Sequence, residues 1–357
     1  MDLQSYRIDF GNDEDLTIDV AIRGRSAAPT LVLSSGVHGV EGFAGSAIQL
    51  AFSDRLSRSA PDADLRYVFI HGVNPFGFAH LRRFNEANVD LNRNFFQVGR
   101  EPFGRRDGYV RLNGLLNPES PPRRFEPFAA RMAIEILREG RAALRDSPVH
   151  HGRAGRRDAW RLGFARLKEA VACGQYEFPR GLFFGGKDPG TSTRTVQEHC
   201  SDWLGDPPRV RHLDVHTGLG TFGSYRLLLG ARTARWKRNW ERTFGHGRVE
   251  SLEARDGVAF PASGSFVDWM ENRFPDRIVQ SAALEYGTYP PIRVLEALRA
   301  ENRAHHHCES GDPRLARAKK KLLESFCPRS AEWRRRVVSS GLEVIERAGR
   351  ELLKPDQ

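Results

Sequence analysis

At 357 residues, 39% hydrophobic and 28% charged, the chain is long enough for one large domain or two ordinary ones and can bury a sizeable core. No apolar run approaches the roughly 20 residues of a membrane helix, and Met1-Asp2-Leu3-Gln4-Ser5 lacks the basic and apolar regions that would predict a signal peptide. The net charge of +10 is mostly arginine, between Arg100 and Arg180 and again after Arg314, without the aromatic interleaving, zinc-finger spacing or helix-turn-helix pattern of a nucleic-acid binder. It reads as a solvated face, or as attraction for an anionic substrate. Cys173, Cys200, Cys308 and Cys327 form no C-x-x-C pair and no framework, which predicts reduced, buried thiols in a cytoplasm.

Taken in order, Tyr6–Phe10 and Leu16–Ile22 alternate loosely and predict two antiparallel strands. Pro29 precedes a strand over Thr30–Leu33, and the run breaks at Gly36 before presenting His38 and Glu41. Small and apolar residues at helical spacing then predict a buried helix from Phe43 to Leu56. Leu65–Val73 is strand-like and is ended by Asn74-Pro75-Phe76-Gly77. The run from Leu81 to Phe95 is too dense in Asn and Arg to be core; such side chains bind oxyanions and fix turns.

Gln97–Pro127, rich in Gly, Pro and Arg, reads as loop. Helices are predicted over Pro127–Leu144, Ala159–Val171 and Ser192–Leu204, with turns at Gly181–Gly190. Together they suggest a basic insertion at about residues 97–205. Arg209–Val215 is a strand followed at once by His216-Thr217-Gly218, Tyr225–Leu229 is another strand, and Ala234–Thr243 is a helix. Ile278–Leu284 is a strand running into Glu285-Tyr286-Gly287. Val294–His307, Leu315–Phe326 and Ala331–Leu353 are helical.

Strands alternating with helices predict an α/β fold with a largely parallel or mixed sheet. Ligands in such folds bind beyond the carboxyl ends of strands. His38, Asn74, His216 and Glu285 each stand within a few residues of such an end.

Histidine nitrogen and carboxylate oxygen are both good zinc ligands, and two residues between His38 and Glu41 let both point at one spot. The plainer reading is a solvated loop histidine and a helix-start glutamate held by the dipole. A catalytic zinc site has three protein ligands, and His216 is the best third. Glu285 would serve as general base for water acidified by the metal. Asp214, two residues before His216 on a strand, shares its face; it either orients a ligand or forms a sheet-end salt bridge. His305-His306-His307 reads as a polar helix end and Glu198-His199-Cys200 as structural. His71 and His212 read as packed strand residues with hydrogen-bond partners, and Trp236 and Trp240 as core or groove wall.

The ordered series His38-x-x-Glu41, Asn74-Pro75-x-Gly77, Val89-Asp90-Leu91-Asn92-Arg93-Asn94-Phe95, His216 and Glu285 resembles the zinc carboxypeptidases and their amidohydrolase relatives, the succinylglutamate desuccinylase and aspartoacylase group. His-Gly-x-Glu-Gly, His-Thr-Gly-Leu-Gly and Glu-Tyr-Gly-Thr-Tyr-Pro segments resemble a bacterial branch of it. The likeness covers about residues 30–95 and 208–290.

It implies one zinc ion held by His38, Glu41 and His216, with Glu285 as general acid/base. It implies Asn92 and Arg93 at a substrate carboxylate, and Arg83 at the oxyanion with Arg82 adjacent. It also implies a single α/β domain, a mixed sheet between helices; that domain is expected over residues 1–300, with the helices of 301–357, outside the family motifs, packed on it. The substrate-capping tyrosine of the peptidases has no match: between His216 and Glu285 only Tyr225 occurs, and that role is not carried over.

The expected activity is zinc-dependent cleavage of an amide or peptide bond beside a free carboxylate, on a small peptide or acyl-amino acid. The alternatives are a deacylase of small N-acyl amino acids and a non-catalytic binding protein that uses the basic insertion.

Overall fold

In the computed structural model, eight strands join into one sheet: β1 (Asp2–Arg7), β2 (Thr17–Arg23), β3 (Thr30–Ser35), β4 (Arg66–His71), β5 (Arg209–Phe222), β6 (Tyr225–Leu229), β7 (Val249–Ser251) and β8 (Ile278–Gly287). Residues 1–11, 14–58, 64–96, 107–123, 125–145, 156–252 and 263–354 are described. Their helices are α1 (Gly42–Arg58), α2 (Pro75–Ala79), α3 (Asp107–Leu116), α4 (Phe128–Arg145), α5 (Arg156–Ala172), α6 (Thr191–Leu204), α7 (Lys237–Phe244), α8 (Phe266–Arg273), α9 (Pro291–His307), α10 (Pro313–Phe326) and α11 (Ala331–Leu352).

The strand order is β1-β2-β4-β3-β5-β8-β6-β7. The centre is parallel (β4, β3, β5, β8) and the antiparallel pairs are β1/β2, β2/β4 and β6/β8. This is the expected α/β class with a mixed, largely parallel sheet. From β3 the chain pairs first with β4 on one side and later with β5 on the other. The carboxyl ends of β3 and β5 therefore flank a topological switch point, where such sheets open a crevice.

Strand periodicity sorts the side chains into two cores. Leu31, Leu33, Leu213, Val215, Ala282 and Leu284 face one side and pack against α1, α7 and α11. Val32, Val68, Ile70 and Val279 face the other, under α6 and α8. A third core joins α3, α4, α5, α9 and α10 with Val40, just beyond β3. Within it α4 and α5 cross almost backbone to backbone. A Cβ on Gly140 would lie 1.6 Å from the Ala159 carbonyl oxygen, and one on Gly163 would lie 1.7 Å from that of Ile136.

Several elements depart from the expectations. The run read as loop contains α3, whose Tyr109, Leu112 and Leu116 are buried at helical spacing; residues 97–106 lie outside the described ones. Strand β5 continues through His216 to Phe222. Its register against β8 shifts after Thr217, where Gly218 and Gly220 adopt φ of +128° and +111°. Those glycines read as a strand end; they form an irregularity inside it. β7, three residues long, and α8, eight residues long, are additions to the expected elements, too short to set a clear period in the sequence.

All four cysteines are free, Cys173 and Cys200 buried and the other two partly so. Burial pushes the Cys200 thiol up to about 12. No helix among the described residues is long and apolar enough to cross a membrane.

Candidate metal centre and catalytic cleft

Beyond Ser35 the chain turns at Gly36, whose φ of +75° favours glycine. His38 follows, then a short 3-10 turn, Gly39–Glu41. Gly39 must be glycine: a Cβ there would meet the Gly77 carbonyl carbon at 2.0 Å. The turn is tied to the neighbouring loop by Val40 N–H donating to Arg82 O at 2.8 Å. Asn74 caps α2 through Gly77 N–H at 2.9 Å and donates to Arg83 O at 3.1 Å. Asn74 therefore positions the Arg83 segment.

His38, Glu41 and His216, all buried, each offer a ligand atom within 4.8 Å of the others. His216 Nδ1 lies 3.2 Å from both His38 Nδ1 and Glu41 Oε2, and His38 Nδ1 lies 3.0 Å from Glu41 Oε1. The outer nitrogens are held from behind. His216 Nε2 is 2.6 Å from Asp214 Oδ2, and His38 Nε2 is 3.0 Å from Asp90 Oδ1. Arg83 Nη2 also approaches His38 Nε2, at 2.7 Å. We assign the Nε2 proton of His38 to the Asp90 bond, since Arg83 has Glu41 and Asp90 as acceptors. Both Nδ1 lone pairs then point inward. Histidines that donate outward to a carboxylate and offer the inner nitrogen are how proteins orient metal ligands.

The electrostatics fit a divalent cation. Burial would raise Glu41, Asp90 and Asp214, but neighbouring His38 and Arg83 hold Glu41 and Asp90 well below the usual carboxylate range. His216 likewise holds Asp214 down. Burial would lower His216, yet Asp214 and Glu41 raise it well above the ordinary histidine value. Three ionised carboxylates touch the cluster and one guanidinium, Arg83, offsets them. With both histidines neutral, as metal ligands are, two negative charges are left, the complement of a divalent ion that takes the place of the His216 proton, and hard or borderline cations accept this N/O donor set.

Asp214 belongs to a buried chain of hydrogen bonds across the sheet. Ser281 Oγ and Ser34 Oγ each lie 2.7 Å from a ring nitrogen of His212, and Ser34 donates to Asp214 Oδ1 at 2.5 Å. His212 is thus the packed, hydrogen-bonded residue expected, and burial pushes it down to about 4. His71 is likewise packed, 3.1 Å from Gln49 Oε1.

Glu285 is buried beside His216 at matched register on β8 and accepts from Leu219 N–H at 2.9 Å. Burial, with Glu41 adding to it, raises its carboxyl to about 8. The two adjacent arginines diverge. Arg82 is fully buried against Glu301 at 2.9 Å, with Asn88 and Asn302, whereas Arg83 faces the cluster. The Phe183 ring lies 5.5 Å from the Arg83 guanidinium, held by a left-handed backbone (φ +58°). Asn92 Oδ1 accepts from Phe266 N–H at 2.9 Å. Arg93 donates to the carbonyls of Asn92 and Ala172, and its Nε has no partner among the described residues.

The His38–Glu41–His216 cluster, Arg83, Asn92, Arg93, Phe183 and Glu285 line one cavity of about 200 Å³, together with Thr217 and Lys168. Burial lowers the Lys168 ammonium to about 8 against the pull of Glu250 and Glu285. Sequence reading missed Asp90, Phe183, Thr217 and Lys168. Asp90 and Thr217 stand inside motifs already singled out, Phe183 and Lys168 in none. Tyr225 lies in the core on the opposite face of the sheet, near Tyr286.

The model of the family described as "Protein of unknown function (DUF2817)" matches residues 1–340. The chain belongs to this family. A search of curated protein sequences returns no match.

Among solved structures, this DUF2817 chain is similar to a succinylglutamate desuccinylase/aspartoacylase family protein from Shewanella amazonensis (14% identity, 85% of this chain and 73% of that one, TM-score 0.38). It is also similar to carboxypeptidase A from Helicoverpa armigera (11%, 95% and 69%, TM-score 0.43). A third is murein-tripeptide amidase from Escherichia coli O157 (13%, 84% and 91%, TM-score 0.40). At such values the activity of the DUF2817 chain is to be read from its own residues.

Proposed function

We propose that this protein is a zinc-dependent hydrolase of an amide or peptide bond next to a free carboxylate. The observation that carries the reading is the convergence of His38 Nδ1, His216 Nδ1 and Glu41, with each histidine anchored from behind by an aspartate.

His38, Glu41 and His216 would hold one zinc ion. When bound, such an ion supplies Lewis acidity, which acidifies water and polarises a carbonyl. A cation in the cluster also favours the ionised form of nearby Glu285. Glu285 takes a proton from the attacking water at its carboxylate and returns it to the leaving nitrogen. Arg83, whose guanidinium reaches the cluster, faces the developing oxyanion. Asn92 and Arg93 hold the substrate carboxylate, a fork-shaped partner being suited to it.

The test is metal analysis of the purified chain followed by a panel of peptides and N-acyl amino acids. Stoichiometric zinc and turnover abolished in His216→Ala support the reading. Absence of bound metal, or turnover indifferent to His216→Ala, sinks it. Release of C-terminal residues from peptides marks a peptidase, and release of a free acid from acyl-amino acids marks a deacylase.

A further inference from the structure

The apolar lining of the cleft falls into two separate hydrophobic clusters. One is Leu228, Val267 and Ala283, on the sheet face that carries Glu285. The other is built by helices: Met132 and Ile136 of α4, Leu167 of α5, Val294 and Leu298 of α9. Amide hydrolysis asks for polar groups, and the metal cluster is held by the sheet and the turn after β3. Neither needs a wall of three helices.

The wall is preformed. The backbone contact at Gly140 and Gly163 leaves α4 and α5 no room to approach each other further. The cavity beside them cannot be closed by tightening that pair. An apolar cavity holds water poorly and gains free energy when an apolar group displaces it. At its polar edge the Thr217 hydroxyl and the Arg93 Nε are buried and without partners among the described residues.

We propose that α4, α5 and α9 form a subsite for a bulky aliphatic or aromatic group. The substrate is then an amphiphilic amide, with a carboxylate at one end and an apolar group beside the scissile bond. This rests on the hydrolase reading and names its substrate class. The apolar group belongs either to the acyl part or to the amino-acid part, and the recognition chemistry is the same.

Two substrate series separate these sources for the zinc-loaded full chain: N-acylglycines from acetyl to decanoyl, and N-acetyl amino acids from glycine to phenylalanine. In one series kcat/KM rises about three- to fourfold per buried methylene until the subsite is full. Ile136→Phe moves the optimum to a smaller group and Ile136→Ala to a larger one. Calorimetry with N-octanoylglycine and N-acetylphenylalanine on the metal-free chain gives a second readout. One of them binds with negative ΔCp, and Leu167→Glu abolishes that binding.

Flat kcat/KM in both series, with acetylglycine still hydrolysed, overturns the subsite and leaves the hydrolase reading standing. Binding that responds to Leu167→Glu without any turnover overturns the hydrolase reading and leaves the subsite. Neither binding nor size dependence overturns the proposal.

Discussion

His216 and Glu285 stand side by side at matched register on the parallel strands β5 and β8, the first within 3.2 Å of Glu41 and the second lining the same cavity. Parallel pairing puts their side chains on one face, so a metal-ligand candidate and a candidate base are neighbours by backbone geometry alone. Removing the base should therefore spare the ligands. Glu285→Gln is expected to retain stoichiometric zinc while turnover falls by at least about 100-fold. Zinc content and rate, measured on the same preparation, check it; equal loss of both would deny the separation of roles.

Asp214 holds His216 from the outer nitrogen at 2.6 Å and is itself fixed by Ser34. Asp214→Asn keeps the shape and loses the charge that orients the imidazole. Zinc affinity should fall about 10- to 100-fold, read by competition with a chromophoric chelator. Unchanged affinity would reduce Asp214 to a sheet-end ion pair.

Arg82 and Arg83 are adjacent and should fail differently. Arg82→Met strands buried Glu301 without its cation and should cost about 3–5 kcal/mol of stability. Arg83→Met strands Glu41 and Asp90 in turn and should also cost stability, but it alone of the two should lose most of its turnover while still folded. Urea midpoints and kcat/KM for the two variants make the comparison. Arg83→Met with normal turnover would remove Arg83 from the reaction.

His212 is buried and neutral, with its folded pKa of about 4 below the ordinary 6.5. Its contribution to stability is therefore complete above pH 6.5 and is lost as pH falls from there toward 4, because the unfolded chain takes up the proton first. The loss is on the order of a few kcal/mol. Urea unfolding at pH 7 and pH 4.5 should show a smaller drop for His212→Gln than for the parent. Identical drops would mean that His212 is not held neutral.

The crossing of α4 and α5 has no room for a methyl group at Gly163. Gly163→Ala should lower stability by about 1–3 kcal/mol despite the better helix propensity of alanine. An exposed-site control, Gly114→Ala, meets nothing within 4 Å and should not. A difference in Tm between the two variants is the measurement; a stabilised Gly163→Ala would show that the helices can part.

Local chemistry made much of this chain legible in advance. The apolar strands, the helical spacing of α1 and α9, the break at Gly36 and the residue types His38, Glu41, His216 and Glu285 are all short-range signals, because strand and helix periods are properties of neighbouring residues. The α/β class and the position of the candidate site toward the carboxyl ends of the central strands follow from the same signals.

What only the tertiary structure decided is every relation between residues distant in the chain. Asp90 comes to stand behind His38, and Arg83 turns inward while Arg82 turns away. Helices α4 and α5 meet at two glycines, and their apolar faces wall the cleft. A side chain's partner across a fold depends on strand order, register and helix crossing. Those are set by the packing of the whole chain, and no local period encodes them.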